Sequence, residues 1–321
     1  MNTFWDNYPS IKKDMEKVEE ILKENVRCRE AVIEETLLEL IASGGKMLRP
    51  AFVIMAAHFG KSRKKKIYTL AAVMELLHMA TLVHDDIIDC SELRRGKKTI
   101  QAKYGQSYAV FIGDFLFTRC FKLLSDDTSV KNMKNISDVI SRICIGEIEQ
   151  FSAYYDMEFS PRRYLRRISA KTAALFSLSF YIGAAESSCS KDYIKKLARI
   201  GYDIGMAFQI IDDILDYEGS EELLGKPQGN DLKQGNFTIP LIYAMKTGNA
   251  ELESLVSRRD YTEEEIRTII RLVKECGGLE RAKSLAAKYT GRAFAVIDQL
   301  TASENREVLR EVTQRLLVRN I

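Results

Sequence analysis

The amino-acid sequence predicts an all-α protein, read as one domain over residues 1–321. Three observations carry this. Apolar residues recur at three- and four-residue spacing nearly throughout, the period of a helix with one buried face. Alternating, strand-like runs are few. Only five prolines interrupt 321 residues.

The elements follow in order. A first helix is expected near Asp6–Asn25 and a second near Glu30–Ala42. "SGGKMLRP" breaks the pattern with two glycines and a proline. Helices are then expected near Arg49–Phe59 and Lys66–Asp89, with "CSELRRGKKT" as a polar connection. Further helices are expected near Ser107–Leu124, Ser129–Tyr154 and Pro161–Ala185. Ser160 before Pro161 marks a start, a cap residue followed by proline at the first helical position. Lys191–Tyr217 reads as another long helix, and "GSEELLGKPQGNDLKQGN" as a glycine-rich loop. The last third is helical again, with Thr262 and Glu265 spaced as a capping box.

Composition narrows the function. Hydrophobic residues make up 46%, charged residues 29%, and the net charge is only +3. A nucleic-acid-binding domain is normally strongly basic, so no nucleic-acid partner is expected. The six cysteines form no CxxC pair and there are three histidines, which argues against a structural zinc site. Scattered cysteines fit a reducing compartment. Cys90 and Cys144 read as small apolar fillers. The N-terminal segment has no apolar signal core, and runs such as "AFVIMAA" are far short of a membrane span. The expectation is a cytoplasmic protein.

Two short segments carry the chemistry. "LVHDDIIDCSELRRG" places Asp85, Asp86 and Asp89 on one turn at the C-terminal end of an apolar helix. Like charges at i,i+3 and i,i+4 repel, and the helix dipole disfavours negative charge at that end. A cation offsets such a penalty. "IDDILDY" repeats the pattern with Asp212, Asp213 and Asp216. Magnesium suits these groups, since it takes hard oxygens and fills its shell with water and substrate phosphate. One or two carboxylates from each cluster, with a diphosphate held between them, would complete the octahedra. EF-hand spacing is absent.

Cations accompany the clusters. Arg94 and Arg95 follow the first. Lys46 and Arg49 sit in "GGKMLRP", a glycine-rich entry to a helix and so a natural anion site. Lys171 lies in "AKTAALF", and Lys226 and Lys233 in the glycine-rich loop. Arginine forks match phosphate oxygens and lysine acts as a point charge. Together with two metal clusters, these cations suggest two phosphorylated substrates. The run "KSRKKK", Lys61 to Lys66, reads as a solvated loop, with contact to an anionic membrane as the alternative.

With these residues in view, the chain resembles the trans-type polyprenyl diphosphate synthases over nearly its whole length. The markers are "GGKMLRP", "LLHMATLVHDDIIDCSELRRG", "GEIEQ", "AKTAALF", "FQIIDDILDYEG" and "LGKPQGNDLKQGNFTIP". The bacterial hexaprenyl and heptaprenyl diphosphate synthases are the most similar in pattern, including catalytic components of two-component enzymes. The resemblance implies the isoprenoid synthase fold, a single large helical bundle around a central cavity. It implies that an allylic diphosphate ionises and is attacked by the double bond of isopentenyl diphosphate. By resemblance, Asp85, Asp86, Asp89, Asp212, Asp213 and Asp216 hold Mg2+ on the allylic diphosphate. Arg94, Lys171 and Lys226 add to that clamp, with Thr172 and Gln209 as polar partners. Lys171, Thr172 and Gln209 are the implied catalytic groups. Lys46, Arg49, His78 and Arg95 match the isopentenyl diphosphate site. Apart from the resemblance, His78 on its apolar helix reads as a packed core residue, as do His58 and His84. Two positions depart from the family pattern: Met47 stands where many members have a second arginine, and Asn236 where some have lysine.

Product length is expected from the helix that carries the first cluster, which by resemblance lines the tail tunnel. Ala80 and Thr81 stand where short-chain members often place bulky aromatics, and Leu77 lies one turn deeper. From Asp85 to Val73 is about 18 Å of helix, and products near C30 to C35 are expected. The alternatives are a C15 to C20 synthase and a subunit active only with a second small component. A terpene cyclase is disfavoured by "DDILD", Lys46 and Arg49, and a non-enzymatic scaffold by the two intact aspartate sets. The family dimerises through helical faces, so a homodimer or a heteromer with a small regulatory subunit is expected, with transient membrane contact at product release.

Overall fold

The computed structural model describes residues 3–43, 45–61, 63–94, 96–219 and 228–317, apart from the side chain of Asp127. Among the described residues the elements are helical except for one short hairpin, Leu93–Arg94 against Lys97–Lys98, inside the stretch expected to be a polar connection. Leu93 pairs with Lys98 and Arg94 with Lys97. The chain divides into two compact units, each built from two stretches: Met1–Ser137 with Leu178–Ala198, and Asp138–Ser177 with Arg199–Ile321.

The first unit contains α1 (Pro9–Asn25), α2 (Ala31–Ala42), α3 (Leu48–Ala57), α4 (Lys64–Ile88), α5 (Ile100–Tyr104) and α6 (Gln106–Asp127). It also takes the start of α7 (Val130–Ser152), the end of α9 (Ala174–Ala185) and the start of α10 (Lys191–Glu218). Its axis is α4, against which α1, α3 and α6 pack. That position explains why α4 is apolar around most of its circumference: Leu70, Ala71, Ala72, Val73, Met74, Leu76 and Ala80 are all sealed from solvent. Trp5, in a 3-10 turn at Thr3–Trp5, is buried and donates its indole N–H to the Lys46 carbonyl at 2.6 Å. The N-terminal turn thereby fixes the loop that opens α3.

The second unit holds the rest of α7, α8 (Pro161–Ile168), the body of α10, α11 (Asn230–Lys233), α12 (Ile239–Met245), α13 (Ala250–Val256), α14 (Glu263–Glu275), α15 (Gly278–Ile297) and α16 (Glu304–Leu317). Helix α12 packs on α15 and α8, and α14 packs on α13 and α15. The capping box expected at Thr262 is formed: Glu265 N–H donates to Thr262 Oγ1 at 3.2 Å, and Thr262 N–H to Glu265 Oε2 at 2.8 Å.

Several expectations change. Pro161–Ala185 is not one α-helix: Ser169–Ala173 between α8 and α9 is a π-helical segment. Pro161 does open α8, but Ser160 makes no side-chain cap bond. Lys64–Lys66 form the first turn of α4 rather than a loop. Cys90 and Cys144 are exposed, so neither fills a core; Cys120 is the buried one. Lys64–Ile88 and Pro161–Ala185 are long and apolar enough to cross a membrane by length and composition, against the expectation of no such run. In each, 61% of the apolar window is buried within the fold, as in the core helix of a globular unit.

Candidate active site

In the first unit, the end of α4 carries Asp85 and Asp86, and Asp89 is its C-cap residue. Asp86 points inward at 6% exposure, while Asp85 and Asp89 are half-buried. The hairpin brings Arg94 back over this turn. Arg94 Nε lies 2.8 Å from Asp86 Oδ1 and 3.1 Å from Oδ2, and Nη2 lies 2.7 Å from Oδ1. Burial pushes the Asp86 carboxyl above the usual carboxylate range, and Arg94 pulls against that. The turn itself is pinned by backbone: Ser91 N–H donates to Asp86 O at 2.9 Å, and Cys90 takes a left-handed φ of 49°. Thr99 Oγ1 and Gln101 Nε2 both donate to Ser91 O, at 2.7 and 2.9 Å.

A cavity of about 80 Å³ adjoins this turn. His78, Asp86 and Arg94 line it, together with Lys97, Lys98 and Lys103. His78 therefore reaches the same space as the first cluster instead of packing in the core. Met47 and Gly45 also line it. Met47 has φ 44° as the residue before α3, a left-handed conformation that costs free energy for a side chain with a Cβ. That turn separates Lys46 from Arg49; the Lys46 ammonium sits 5.3 Å from the centroid of Phe4. Arg95 lies outside the described residues. Ala80 and Leu77 are buried and Thr81 is half-buried on α4, where Thr81 Oγ1 donates to His78 O at 2.9 Å.

In the second unit, Lys171 and Thr172 lie on the π-helical segment, a local geometry often found at functional sites. Two glycines let neighbouring helices close on it. A Cβ on Gly146 of α7 would sit 2.6 Å from Ala170 Cβ, and one on Gly205 of α10 would sit 2.6 Å from Ala173 Cα. The first approach puts Glu147 beside Lys171, whose Nζ donates to Oε2 at 2.9 Å. The second puts Gln209 beside Thr172. A chain of bonds follows: Thr172 Oγ1 to Gln209 Oε1 at 2.7 Å, Gln209 Nε2 to Asp213 Oδ1 at 2.8 Å, and Tyr164 OH to Asp213 Oδ2 at 2.6 Å. Burial pushes Asp213 up to about 7 despite those donors, and pushes the Tyr164 hydroxyl well above its ordinary value.

The second cluster is thus split in role. Asp212 is exposed, Asp213 is buried behind it, and Asp216 is buried at 2% exposure. Asp216 accepts the backbone N–H groups of Asn230 and Asp231, each at 3.2 Å, and so holds the start of α11. Among the described residues, no three His, Cys, Asp or Glu side chains gather into a ready-made metal cage. The cause is visible in these bonds: Asp86, Asp213 and Asp216 are engaged by protein donors. The donor set still fits a hard divalent ion bound through one or two carboxylates, with substrate oxygens filling the shell. Lys226 lies outside the described residues. Lys233 pairs with Glu263, and Asn236 donates to Asp231 Oδ1 at 3.4 Å.

Sequence reasoning did not single out Tyr164 or Glu147. Glu147 stands in the quoted "GEIEQ", and Tyr164 is the one aromatic in the arginine-rich "PRRYLRRI", spaced i,i+4 from the buried Ile168. Both signals were available.

The chain is similar to known proteins over most of its length. A family model described as polyprenyl synthetase matches residues 30–273. Heptaprenyl diphosphate synthase component 2 of Geobacillus stearothermophilus is 37% identical over 305 residues, covering 95% of each chain. Among solved structures, the heptaprenyl diphosphate synthase of Staphylococcus aureus has a TM-score of 0.92 at 37% identity, covering 97% of this chain and 99% of that one. The polyprenyl synthase of Caulobacter crescentus CB15, solved in complex with calcium and isoprenyl diphosphate, has a TM-score of 0.91 at 34% identity, covering 97% of this chain and 96% of that one.

Proposed function

The chain belongs to the polyprenyl synthetase family, and on that footing we propose that it is a trans-polyprenyl diphosphate synthase making products of about C30 to C35. The observation that carries this is the pair of aspartate segments, each tied to its own cationic or polar partners, within a chain 37% identical to a heptaprenyl synthase component over 95% of both lengths.

The reaction balances without a protein base. The allylic C–O bond breaks and pyrophosphate leaves with the electron pair. The isopentenyl double bond then forms the new C–C bond, and the released proton goes to pyrophosphate. The residues that would hold magnesium are Asp85, Asp89 and Asp212, with Asp86, Asp213 and Asp216 behind them. When bound, the metal neutralises charge that builds on the leaving group. Arg94, Lys171 and Lys226 bind the allylic diphosphate oxygens. Glu147 holds Lys171, and the Thr172–Gln209–Asp213–Tyr164 chain fixes the turn that presents Asp212. Lys46, Arg49, His78 and Arg95 receive the isopentenyl diphosphate.

A second chain is part of the proposal. The relative's designation as component 2 supports a heteromer, and the exposed Phe111 and Phe121 on α6 are apolar groups that a partner helix would cover. A homodimer uses the same chemistry. The test is incorporation of labelled isopentenyl diphosphate into an acid-labile allylic product, dependent on magnesium and abolished in Asp85→Ala. Incorporation that survives without divalent metal contradicts the proposal.

A further inference from the structure

In the first unit, α4, α7 and α10 all begin at one place, with lysine as the first or second residue of each. Contacts establish the juxtaposition. Lys61 N–H donates to Ser187 O at 2.6 Å, in the turn before α10. A Cβ on Gly60 would fall 2.1 Å from that same carbonyl oxygen. Phe59 and Tyr193 rings lie 6.1 Å apart. Lys66 Nζ reaches Glu186 Oε2 at 2.6 Å, Asn132 of α7 donates to the other oxygen of Glu186, and Tyr181 OH donates to Asn132 Oδ1 at 3.1 Å.

The charges at this end do not cancel. Lys61, Arg63 and Lys65 are exposed on the way into α4. Lys131 and Lys134 are exposed on the first two turns of α7, and Lys191 and Lys195 on those of α10. Three acids nearby are engaged, and Asp126, four residues before α7, is exposed. Glu186 is held by Lys66 and Asn132. Asp14 is held by Tyr68, His58 and Lys64. Asp192 pairs with Lys196 at 2.7 Å. The first turns of α4 and α7 contain no acidic residue. Positive side chains at helix N-termini oppose the dipole. Two of the three helix starts carry that unfavourable arrangement, and Asp192 offsets it in part at the third, which leaves a surface of net positive charge.

We propose that this surface docks on an anionic lipid bilayer. Three things favour a bilayer over other polyanions. The cations are spread over three helix starts and a loop, as contact with an extended charged sheet requires. Val130, the first residue of α7, is 84% exposed among them and offers an apolar contact. The surface also lies at the end of α4 opposite the first aspartate cluster, about 30 Å away by helical rise from Lys64 to Asp85. A C30 to C35 tail laid along α4 from that cluster points toward the basic end, so docking there brings the apolar product to its solvent. This last step rests on the prenyl-synthase reading; the charge argument does not.

The test uses the full chain without substrate, sedimented with phosphatidylglycerol–phosphatidylcholine vesicles and with pure phosphatidylcholine vesicles. Binding to the anionic vesicles only, weakening steeply with salt, is expected. Each basic residue near a bilayer is worth about a fivefold change in partition. Lys61→Gln, Arg63→Gln and Lys65→Gln together should therefore weaken binding roughly 100-fold. An independent variant, Lys131→Gln with Lys191→Gln, should weaken it about 25-fold at an unchanged melting temperature. Both should elongate short soluble substrates at the wild-type rate. No sedimentation with anionic vesicles, equal sedimentation of wild type and both variants, or tighter binding to single-stranded RNA than to the vesicles overturns the proposal. Failure of prenyl transfer leaves the vesicle result standing, so the two readings fail separately.

Discussion

Arg94 grips Asp86 through two nitrogens, with Nε at 2.8 Å and Nη2 at 2.7 Å from the same Oδ1. The arginine assigned to the diphosphate is thus already committed to a carboxylate of the adjoining cluster. A buried pair of this kind holds geometry more than it adds stability, because desolvation offsets much of the attraction. Its use is to hold the fork at the place where phosphate oxygens will compete for it. Arg94→Lys keeps the charge and loses the fork. The expected outcome is about a tenfold or larger drop in kcat/KM for the allylic substrate, with the melting temperature shifted by only a few degrees, checked by steady-state kinetics and calorimetry.

Tyr164→Phe removes one hydroxyl and leaves the ring. Asp213 then loses its 2.6 Å donor. Groups that orient metal-binding carboxylates from behind typically change metal affinity by 10- to 100-fold when removed. The apparent magnesium affinity should fall by about that factor, read by titration calorimetry with a bisphosphonate diphosphate analogue present. An unchanged magnesium isotherm would show that Gln209 alone holds Asp213.

Ala80→Phe should shorten the product. Ala80 is fully buried on α4, five residues before Asp85, so a ring there must displace neighbours, and the strain costs about 1–3 kcal/mol. Chromatography of dephosphorylated products should show chains shorter than the wild-type set. Unchanged length at reduced yield would mean that the tail runs along another face.

Stability should depend on pH through His58. Burial lowers its pKa below the ordinary 6.5, although the facing Asp14 pulls it up and Lys64 adds to the lowering. Tyr68, also on Asp14, is pushed up to about 12 and stays protonated. A depressed histidine binds its proton less tightly when folded than when unfolded, so the unfolded state carries more protons below pH 6.5. This contribution is fully present above pH 6.5 and is lost as the pH falls below it. The difference in melting temperature between wild type and His58→Gln should therefore shift toward the variant between pH 7 and pH 5.

Much of the fold was legible because its signals are local. Helical periodicity places α4 and α10 to within a few residues, and Thr262 with Glu265 marks the start of α14. The π-helical segment at Ser169–Ala173 was not legible, because the helices that close on it through Gly146 and Gly205 are remote in sequence. The aspartates were legible as two sets but not in their division of labour. Nothing local separates Asp212 from Asp213; the difference is Tyr164, 49 positions away. Asp216 is buried because the backbone of Asn230 and Asp231 returns to it. Charge pattern singled out both aspartate sets, and long-range donors decide which of their members face inward.

The most direct measurement incubates the purified chain with magnesium, farnesyl diphosphate and labelled isopentenyl diphosphate, with and without a candidate small partner subunit, and separates the products by length. Products of about C30 to C35 in either arm are predicted. Folded protein that elongates nothing in both arms, or stops at C15 to C20, would contradict the account.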